Sequence, residues 1–254
     1  MKHLLALLPL LFALTGVAAE EVLRVDFRER PPEMRAVDGL PSGPLISVLE
    51  TAAQRLGVRL RWRQAPFLRS LDDLRSGRVD LVPRVLLTEE RRAYIHYLPS
   101  IGSQRLNIRF VVHPGREGGL KRYEDLHRLS VGVKRGTVYF QPFDGDERLA
   151  KVYASDDAQL AAMFRAGRLD TIAVLDVMPM ETQFAALGFD DYSYAQYAHE
   201  QLLGNHFGAS LKHYQSDRRE LYDRLAGELE RMREQGEISL IYHRYGVPAP
   251  DMAN

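Results

Sequence analysis

The chain has 254 residues, and its 34 Lys and Arg balance its 34 Asp and Glu, so the formal net charge is zero. This balance gives no electrostatic reason to expect nucleic acid as a partner, because phosphate backbones are bound through surplus positive charge. The chain contains no cysteine. This excludes disulfides, thiolate catalysis, thiolate metal sites and a lipid-modified N-terminal cysteine.

The N-terminus has the pattern of a cleaved export signal. Lys2 precedes an apolar run over residues 4–14, and the small residues at 17–19 follow it. The run is shorter than the roughly 20 apolar residues that a membrane span needs. We therefore expect a signal peptide at residues 1–19 and export of the mature chain to the periplasm. The remaining chain is long enough to bury a core without disulfides.

The first third of the chain predicts a βαβ unit that is followed by another helix and strand. These elements are a strand at 22–27, a helix at 45–56, a strand at 58–62, a helix at 68–76 and a strand at 79–82. Pro31 and Pro32 place a loop after the first strand. Thr88 can cap the next helix by accepting a hydrogen bond from an N–H of its first turn, and Glu89 and Glu90 suit the positive N-terminal end of that helix.

The rest of the chain alternates strands and helices, which is typical of a parallel sheet that is covered on both faces. The expected elements are a strand at 107–113, a helix at 123–129, a strand at 130–134, a helix from about Thr137, a strand at 151–154, a helix at 158–166, a strand at 169–175 and a helix at 177–187. After a polar loop, a strand at 206–210 leads to an amphipathic helix at 217–235 and a last helix at 240–245.

One segment occurs twice. Residues 160–172, LAAMFRAGRLDTI, echo residues 70–82, SLDDLRSGRVDLV, with matching Arg, Gly, Arg and Asp at a constant offset. Joints of this kind also recur by chance in α/β proteins. Four identities in one register favour two similar α/β lobes instead. We expect lobe 1 to comprise 20–108 plus 208–254, and lobe 2 to comprise 109–207.

No catalytic constellation stands out. The chain has no Gly-rich phosphate loop, zinc-binding helix motif or nucleophile elbow, and its eight histidines are scattered. We therefore expect no enzyme, no metal and no cofactor. Arg91 instead lies just beyond the carboxyl end of a predicted strand, where open α/β sheets bind ligands. A guanidinium with the N–H groups of a helix start can bind a carboxylate, although an arginine at such a position, taken alone, is more often a solvated helix residue.

The order of several segments resembles one family. These segments are VLRVDF, a Pro-Pro loop, AAQRLGV, LRSGRVDLV, LTEER, LSVGVKRGT, MFRAGRLDTI and MREQGEISLIYHRYG. Together they resemble the periplasmic solute-binding proteins of polar-amino-acid uptake. The resemblance implies a class II periplasmic binding protein fold, in which two α/β lobes joined by two hinge crossovers close like a Venus flytrap. It also implies a monomer that captures an amino-acid-like or carboxylate ligand for the membrane permease of an ABC transporter.

The resemblance also implies a set of ligand-binding residues. In the family, the arginine of a Thr-x-x-Arg segment binds the α-carboxylate of the ligand, and the matching residues are Thr88 and Arg91. Thr137, at the start of the expected helix, would lend N–H groups to the same carboxylate. Asp176 would bind the ammonium group, and Phe67 would form an aromatic wall.

The sequence departs from the family pattern near the expected site. Residues 83–87 replace a serine-rich approach to Thr88, and Arg30 and Glu33 replace aromatic residues. Arg28, Arg30 and Arg84 would suit an acidic ligand, unless they are exposed charges at the rim of the cleft.

Two alternatives to a transport receptor use the same cleft. The first is a periplasmic ligand sensor that partners a signalling protein. The second is a dehydratase-like enzyme on the same scaffold, which would need a buried acid facing the ligand. Glu33 is the candidate for that acid.

Overall fold

The computed structural model describes residues 21–251, so the expected signal peptide at 1–19 lies outside the described residues. The strands of this part are β1 Glu21–Phe27, β2 Arg35–Val37, β3 Leu40–Ser42, β4 Val58–Gln64, β5 Leu81–Pro83, β6 Ile95–Tyr97, β7 Ser103–Val112, β8 Ser130–Lys134, β9 Ala150–Ala154, β10 Thr171–Val174, β11 Ser193–Gly204 and β12 Phe207–Ser210. The helices are α1 Pro44–Arg55, α2 Phe67–Ser76, α3 Glu89–Arg92, α4 Asp157–Arg165, α5 Val177–Ala186, α6 Leu211–Tyr214, α7 Arg219–Glu234 and α8 Glu237–Arg244.

Two five-stranded sheets share one plan. Their strand orders are β4-β1-β5-β12-β6 and, listed from the opposite end, β9-β8-β10-β7-β11. In each sheet the first three strands run parallel, and the last two pair antiparallel with their neighbours. The prediction of two similar α/β lobes is therefore confirmed. The prediction that the second sheet is wholly parallel is wrong, because β7 pairs antiparallel with both of its neighbours, β10 and β11.

The repeated sequence segment makes the same contacts in both lobes. Asp80 accepts a hydrogen bond from the backbone N–H of Arg24 at 2.8 Å, and Asp170 accepts one from the N–H of Ser130 at 2.7 Å. In each copy the glycine three residues earlier has a positive φ, as the end of the preceding helix requires. Each aspartate therefore ties its own strand to the neighbouring parallel strand.

Both sheets are covered on both faces. In the first sheet, α1, α7 and α8 pack on one face and α2 on the other. In the second sheet, α4 and α5 cover one face, and an aromatic cluster that includes Phe110, Tyr139 and Phe143 covers the other. The predicted amphipathic stripe of α7 is confirmed, because Leu221, Leu225, Leu229 and Met232 are all buried.

Two short crossovers join the lobes. Residues 98–102 lead from β6 into β7, and residues 205–206 lead from β11 back into β12. The crossovers are hydrogen-bonded to each other. The N–H of Ile101 donates to the carbonyl of Asn205 at 3.0 Å, and the N–H of Asn205 donates to the carbonyl of Gly102 at 2.8 Å. The paired segments are a natural hinge. The exact lobe boundaries at 108/109 and 207/208 stay predictions.

Four of the strands, β2, β3, β6 and β11, are not among those that the sequence predicts. β2 and β3 form a hairpin whose turn is Asp38-Gly39, with φ of 52° and 78°. Asp-Gly is a typical turn pair for such a hairpin, so the signal was present. β11 falls in the stretch that was read as a polar loop. It is an edge strand whose one partner among the described strands is β7, and edge strands tolerate polar residues on both sides.

The predicted helix from about Thr137 is wrong. The chain is irregular there until a short 3-10 turn, Phe143–Gly145. The N–H of Tyr139 donates to the carboxylate of Asp144 at 3.0 Å, and its hydroxyl accepts from the N–H of Lys134 at 2.9 Å. These local bonds compete with helix formation, and Pro142 lacks the N–H that a helix interior needs.

No helix within residues 21–251 combines the length and the apolar character that crossing a membrane requires.

Candidate functional site

A cavity of about 530 Å³ lies between the two lobes. One wall is formed by the loops after β1 and β5 and by the start of α2, and the other by the loop after β8, the end of β10 and the start of α5. The carboxyl ends of parallel strands from both sheets therefore face one space, which is where open α/β sheets place ligands. A second cavity of about 450 Å³ adjoins it and shares Arg91, Gly136 and Thr137.

Arg91 faces inward between the lobes and is 5% exposed. Thr88 caps α3, because its hydroxyl accepts a hydrogen bond from the N–H of Arg91 at 3.2 Å. The guanidinium donates to the carbonyl of Leu86 at 3.1 Å and, across the cleft, to that of Gly136 at 3.0 Å. The alternative that Arg91 is a solvated helix residue is therefore wrong. Arg91 is a contact between the lobes that also lines both cavities.

The loop that precedes α3 is held by shared hydrogen bonds. The carbonyl of Leu86 accepts from the hydroxyl of Tyr97 at 2.9 Å as well as from Arg91. Burial raises the pKa of Tyr97 to about 12, so this hydroxyl remains a donor at neutral pH. The position of the Arg91 guanidinium is thus fixed from its own lobe.

The aromatic ring of Phe67 contacts the guanidinium groups of two arginines. The guanidinium carbon of Arg28 lies 4.1 Å from the centroid of the ring, and that of Arg91 lies 5.5 Å from it. Cations at such distances are attracted to the negative face of an aromatic ring. Phe67 therefore lines the cavity, as the sequence predicted, and it also helps to gather two positive charges.

Arg84 is buried, with 4% of its surface exposed, and it has a φ of 59°. It lines the cavity, its Nε lies 3.4 Å from Glu33, and its Nη1 has no hydrogen-bond partner among the described residues. Burial lowers the pKa of Arg84, although Glu33 partly counteracts the effect. The alternative that this arginine is an exposed rim charge is wrong.

Glu33 is a counter-ion rather than a cavity residue. Its carboxylate accepts from the Nε of Arg30 at 3.2 Å and from Gln104 at 2.9 Å, and it also faces Arg84. Glu33 is 5% exposed, and the lining of the cavity between the lobes does not include it. The carboxylate that the enzyme alternative requires is therefore buried, but it is engaged by Arg30 and Arg84 and does not line the cavity.

The two predicted residues of the second lobe line the cavity in different settings. Thr137 follows Gly136 in an irregular loop, and its N–H donates to the carbonyl of Lys134 at 3.1 Å. It is therefore not at the N-terminus of a helix, and that part of the expectation is wrong. Asp176 precedes α5, and its carboxylate lies 3.7 Å from the Nη2 of Arg30.

Lys134 and Asp157 also line the cavity, and the sequence reading did not single them out. The two form an ion pair at 2.7 Å. Lys134 is the last residue of β8, so the rule that identified Arg91 would also have identified Lys134. Among the described residues, no group of three or more His, Asp or Glu could hold a metal ion.

Two similar α/β lobes that enclose a ligand-sized cavity at a hinge define the class of hinged solute-binding proteins. The chain belongs to the bacterial extracellular solute-binding proteins, family 3, whose family model matches residues 23–248. The family expected from the sequence is thereby confirmed.

Individual relatives agree with this assignment. Over 146 residues the chain is 28% identical to the L-cystine-binding protein TcyJ of Escherichia coli (strain K12), a match that covers 57% of the chain and 54% of TcyJ. The matched stretch thus spans about half the length of that relative.

Two solved structures show that the fold is shared. The first is a histidine kinase sensor domain with similarity to periplasmic binding proteins, with a TM-score of 0.71, 19% identity and coverage of 91% of this chain and 99% of that one. The second is an ancestral arginine-binding protein bound to arginine, with a TM-score of 0.67, 21% identity and coverage of 88% and 97%. The expected Venus-flytrap fold is therefore confirmed.

Proposed function

We propose that this protein captures a small ligand with a carboxylate, of amino-acid-like size, between its two lobes and delivers it to the membrane permease of an ABC transporter. The observation that supports the proposal most is the inward-facing guanidinium of Arg91, which lines a cavity shared by both lobes. Family membership supports the transport role. Export to the periplasm by the expected signal peptide at 1–19 completes the proposal.

In this proposal Arg91 binds the carboxylate of the ligand, and Thr88 holds the helical turn that carries Arg91. Phe67 packs against the body of the ligand, and Thr137 faces it from the second lobe. Arg84 and Asp176 set the charge of the remaining wall. Arg91 has five N–H donors, of which two contact carbonyl groups. Donors therefore remain for an incoming carboxylate.

The size of the cavity fits the energy that binding requires. A ligand of about ten heavy atoms with a micromolar Kd gains about −8 kcal/mol, or roughly −0.8 kcal/mol per atom. Such an efficiency demands that most of the ligand be buried. An enclosed space of about 530 Å³ between two lobes can provide this burial, whereas a groove on one lobe could not. Ligand binding is therefore coupled to closure at the hinge.

The test is calorimetry with a ligand found by a thermal-shift screen of amino acids and small carboxylates. Arg91→Gln should weaken binding by about 2 to 5 kcal/mol, because it removes one member of a desolvated charge pair. Arg92→Gln is the matched control, since Arg92 lies on the same helical turn but is half exposed and pairs with Glu89. An Arg91→Gln variant that binds as tightly as the Arg92→Gln variant would remove Arg91 from the site.

A periplasmic sensor is the second candidate, and the likeness in fold to a histidine kinase sensor domain favours it. A sensor would use the same cavity and would present its ligand-bound form to a signalling protein. Deleting the gene should abolish uptake of the ligand if the protein serves a transporter. Normal uptake with a lost transcriptional response would favour the sensor.

An enzyme on this scaffold has less support. Glu33, the candidate acid, is engaged by Arg30 and Arg84 and does not line the cavity. In the binding proposal, ligands leave the protein chemically unchanged. Nuclear magnetic resonance of the ligand after prolonged incubation would reveal any turnover.

A further inference from the structure

The cavity between the lobes carries an uneven set of charges. Six of its lining residues are Lys or Arg, and three are Asp or Glu. An excess of positive charge at a concave, partly desolvated site attracts anions. Which charges remain available depends on how the lining residues pair with one another.

The three lining carboxylates already have partners. Asp157 pairs with Lys134 at 2.7 Å, and Asp176 lies 3.7 Å from Arg30. Glu29 accepts a hydrogen bond from the backbone N–H of Ala36 at 2.7 Å. A ligand ammonium group that bound an acid of this cavity would therefore share it with a cation or a donor that is already present.

The arginines near Phe67 are in the opposite situation. The guanidinium of Arg28 donates to the carbonyls of Pro83 and Arg84, at 3.4 Å and 3.0 Å. Arg91 likewise donates to carbonyls. Carbonyl groups occupy some of the N–H donors but carry no negative charge, and no carboxylate among the described residues forms a direct ion pair with Arg28 or Arg91. Both guanidinium groups lie against one ring, so a single small molecule can reach both.

The positive charges near Arg28 also act on one another. Burial, followed by the charges of Arg30 and Arg84, lowers the pKa of Arg28 well below its usual range. The Nη1 of Arg84 is buried and lacks a hydrogen-bond partner among residues 21–251. A cluster of this kind is stabilised when an anion enters it, because the anion supplies both the missing charge and the missing acceptor.

We infer that the cavity selects small dianions, in which one acidic group binds Arg91 and a second acidic group binds Arg28 and Arg84. A ligand ammonium group is not required for binding. The inference rests on the proposed function, since it assigns the substrate class of the same site. Glutarate and L-glutamate have this chemistry, whereas L-glutamine and L-arginine do not.

The first experiment is calorimetric titration of the full mature protein with these four probes. Glutarate and L-glutamate should each bind at least about tenfold more tightly than L-glutamine or L-arginine, because they alone supply a second charge to a desolvated arginine. The preference should shrink as salt is raised, because ions screen the attraction. If L-glutamine or L-arginine binds as tightly as glutarate, the inference is wrong.

The second experiment tests whether substituting one residue, Arg28, changes the preference for dianions. Arg28→Gln should reduce the ratio of the glutarate and L-glutamine affinities to within about threefold, because it removes the charge and one fork of donors. Arg28→Lys keeps the charge and should retain part of the preference. Arg105→Gln is the control, because Arg105 lies on β7 with its side chain 75% exposed. An unchanged ratio in folded Arg28→Gln protein, or in the equally uncharged Arg28→Met protein if the first variant does not fold, would overturn the inference.

The outcomes separate the inference from the proposed function. Binding of L-glutamine or L-arginine that is as tight as that of glutarate and is lost in Arg91→Gln would support the proposed function and overturn the dianion preference. Failure of all four probes to bind the wild-type protein overturns the dianion preference too. Binding of a diacid that is unaffected by Arg91→Gln would overturn both.

Discussion

At the scale of single residues, Arg91 combines two tasks. Its guanidinium donates to Leu86 in its own lobe and to Gly136 in the other, so it holds the lobes together before any ligand is considered. Closing the cleft therefore does not leave the buried guanidinium without hydrogen bonds, which would be strongly destabilising. A carboxylate at this position makes stronger, charge-assisted bonds than a carbonyl does. The ligand thus strengthens a contact that already exists.

Thr88 should stabilise the turn that carries Arg91. Thr88→Ala removes the hydroxyl that accepts from the N–H of Arg91, and loss of such a cap costs about 1 kcal/mol of stability. Urea denaturation should show that loss. Thr88→Ser keeps the acceptor and should remain close to wild type. A Thr88→Ala protein as stable as the Thr88→Ser protein would show that the cap contributes little.

Asp73 should make the stability of the first lobe depend on pH in the acidic range. The residue is buried, and burial raises its pKa, but hydrogen bonds from Arg63 and Arg78 outweigh this effect and lower the pKa. In the unfolded chain, an aspartate side chain has a pKa of about 3.9. The stabilisation that ionised Asp73 provides is therefore fully present above about pH 3.9 and is lost as the pH falls through the lower pKa that Asp73 has in the folded protein.

The measurement is the free energy of unfolding between pH 6 and pH 3. It should fall with acidity in the wild-type protein and less steeply in Asp73→Asn. Asp72→Asn is the matched control, because Asp72 is the preceding residue and its side chain is 68% exposed. Equal slopes in the two variants would contradict the assignment.

Most of the residues that the sequence singled out lie together in the structure. Arg91, Phe67, Arg84, Thr137 and Asp176 all line the cavity between the lobes, and whether they bind a ligand stays a prediction. Which charged side chains of the cavity pair with one another could not be foreseen, because such pairs depend on distances across the cleft. The contact between Asp176 and a lobe 1 arginine, which competes with an ammonium group, follows only from the folded arrangement.

At the scale of elements, the loop after β8 contacts the first lobe across the cleft. Gly136 has a φ of 72°, and a methyl group there would collide with the side chain of Leu68 on α2. Glycine is needed both for its backbone conformation and for the space that it leaves. The loop can therefore place its carbonyl within reach of Arg91.

Gly136→Ala should hinder closure and weaken ligand binding by at least about tenfold, because one residue sets the approach of the lobes. Part of the loss should be recovered in the double variant Gly136→Ala with Leu68→Ala, because the collision partner is then gone. Leu68→Ala alone is the control, since Leu68 is 41% exposed. No recovery in the double variant would assign the loss to backbone strain in the loop.

Helices and buried strands could be predicted because their apolar spacing is a local property of the sequence. α1, α2, α4, α5 and α7 all form where the spacing placed them. β11 and the loop after β8 could not be predicted in this way. β11 takes its regularity from pairing with β7, and the loop takes its shape from hydrogen bonds between Tyr139 and Asp144.

At the scale of the whole molecule, two lobes with the same strand order meet at a paired hinge. The repeated Gly-Arg-x-Asp segment fixes the same strand in each lobe, so its twofold occurrence in the sequence was a genuine signal of architecture. The two crossovers are short and bonded to each other, so the lobes can rotate as bodies. A ligand that contacts both lobes then links binding to the stability of the whole chain.

Ligand should raise the melting temperature of the wild-type protein. At a hundred times its Kd, a ligand stabilises the native state by about 2.7 kcal/mol, which corresponds to roughly 5 to 10 °C for a chain of this size. Arg91→Gln should lose most of this shift at the same ligand concentration. An equal shift in both proteins would mean that the ligand binds outside the cavity.

A crystal structure with the bound ligand tests the role of Arg91 most directly. We expect a carboxylate of the ligand between the lobes, with its oxygens about 2.7 to 2.9 Å from the guanidinium nitrogens of Arg91, as charge-assisted pairs are. A ligand bound elsewhere, with Arg91 donating only to the carbonyls of Leu86 and Gly136, would contradict the proposed function.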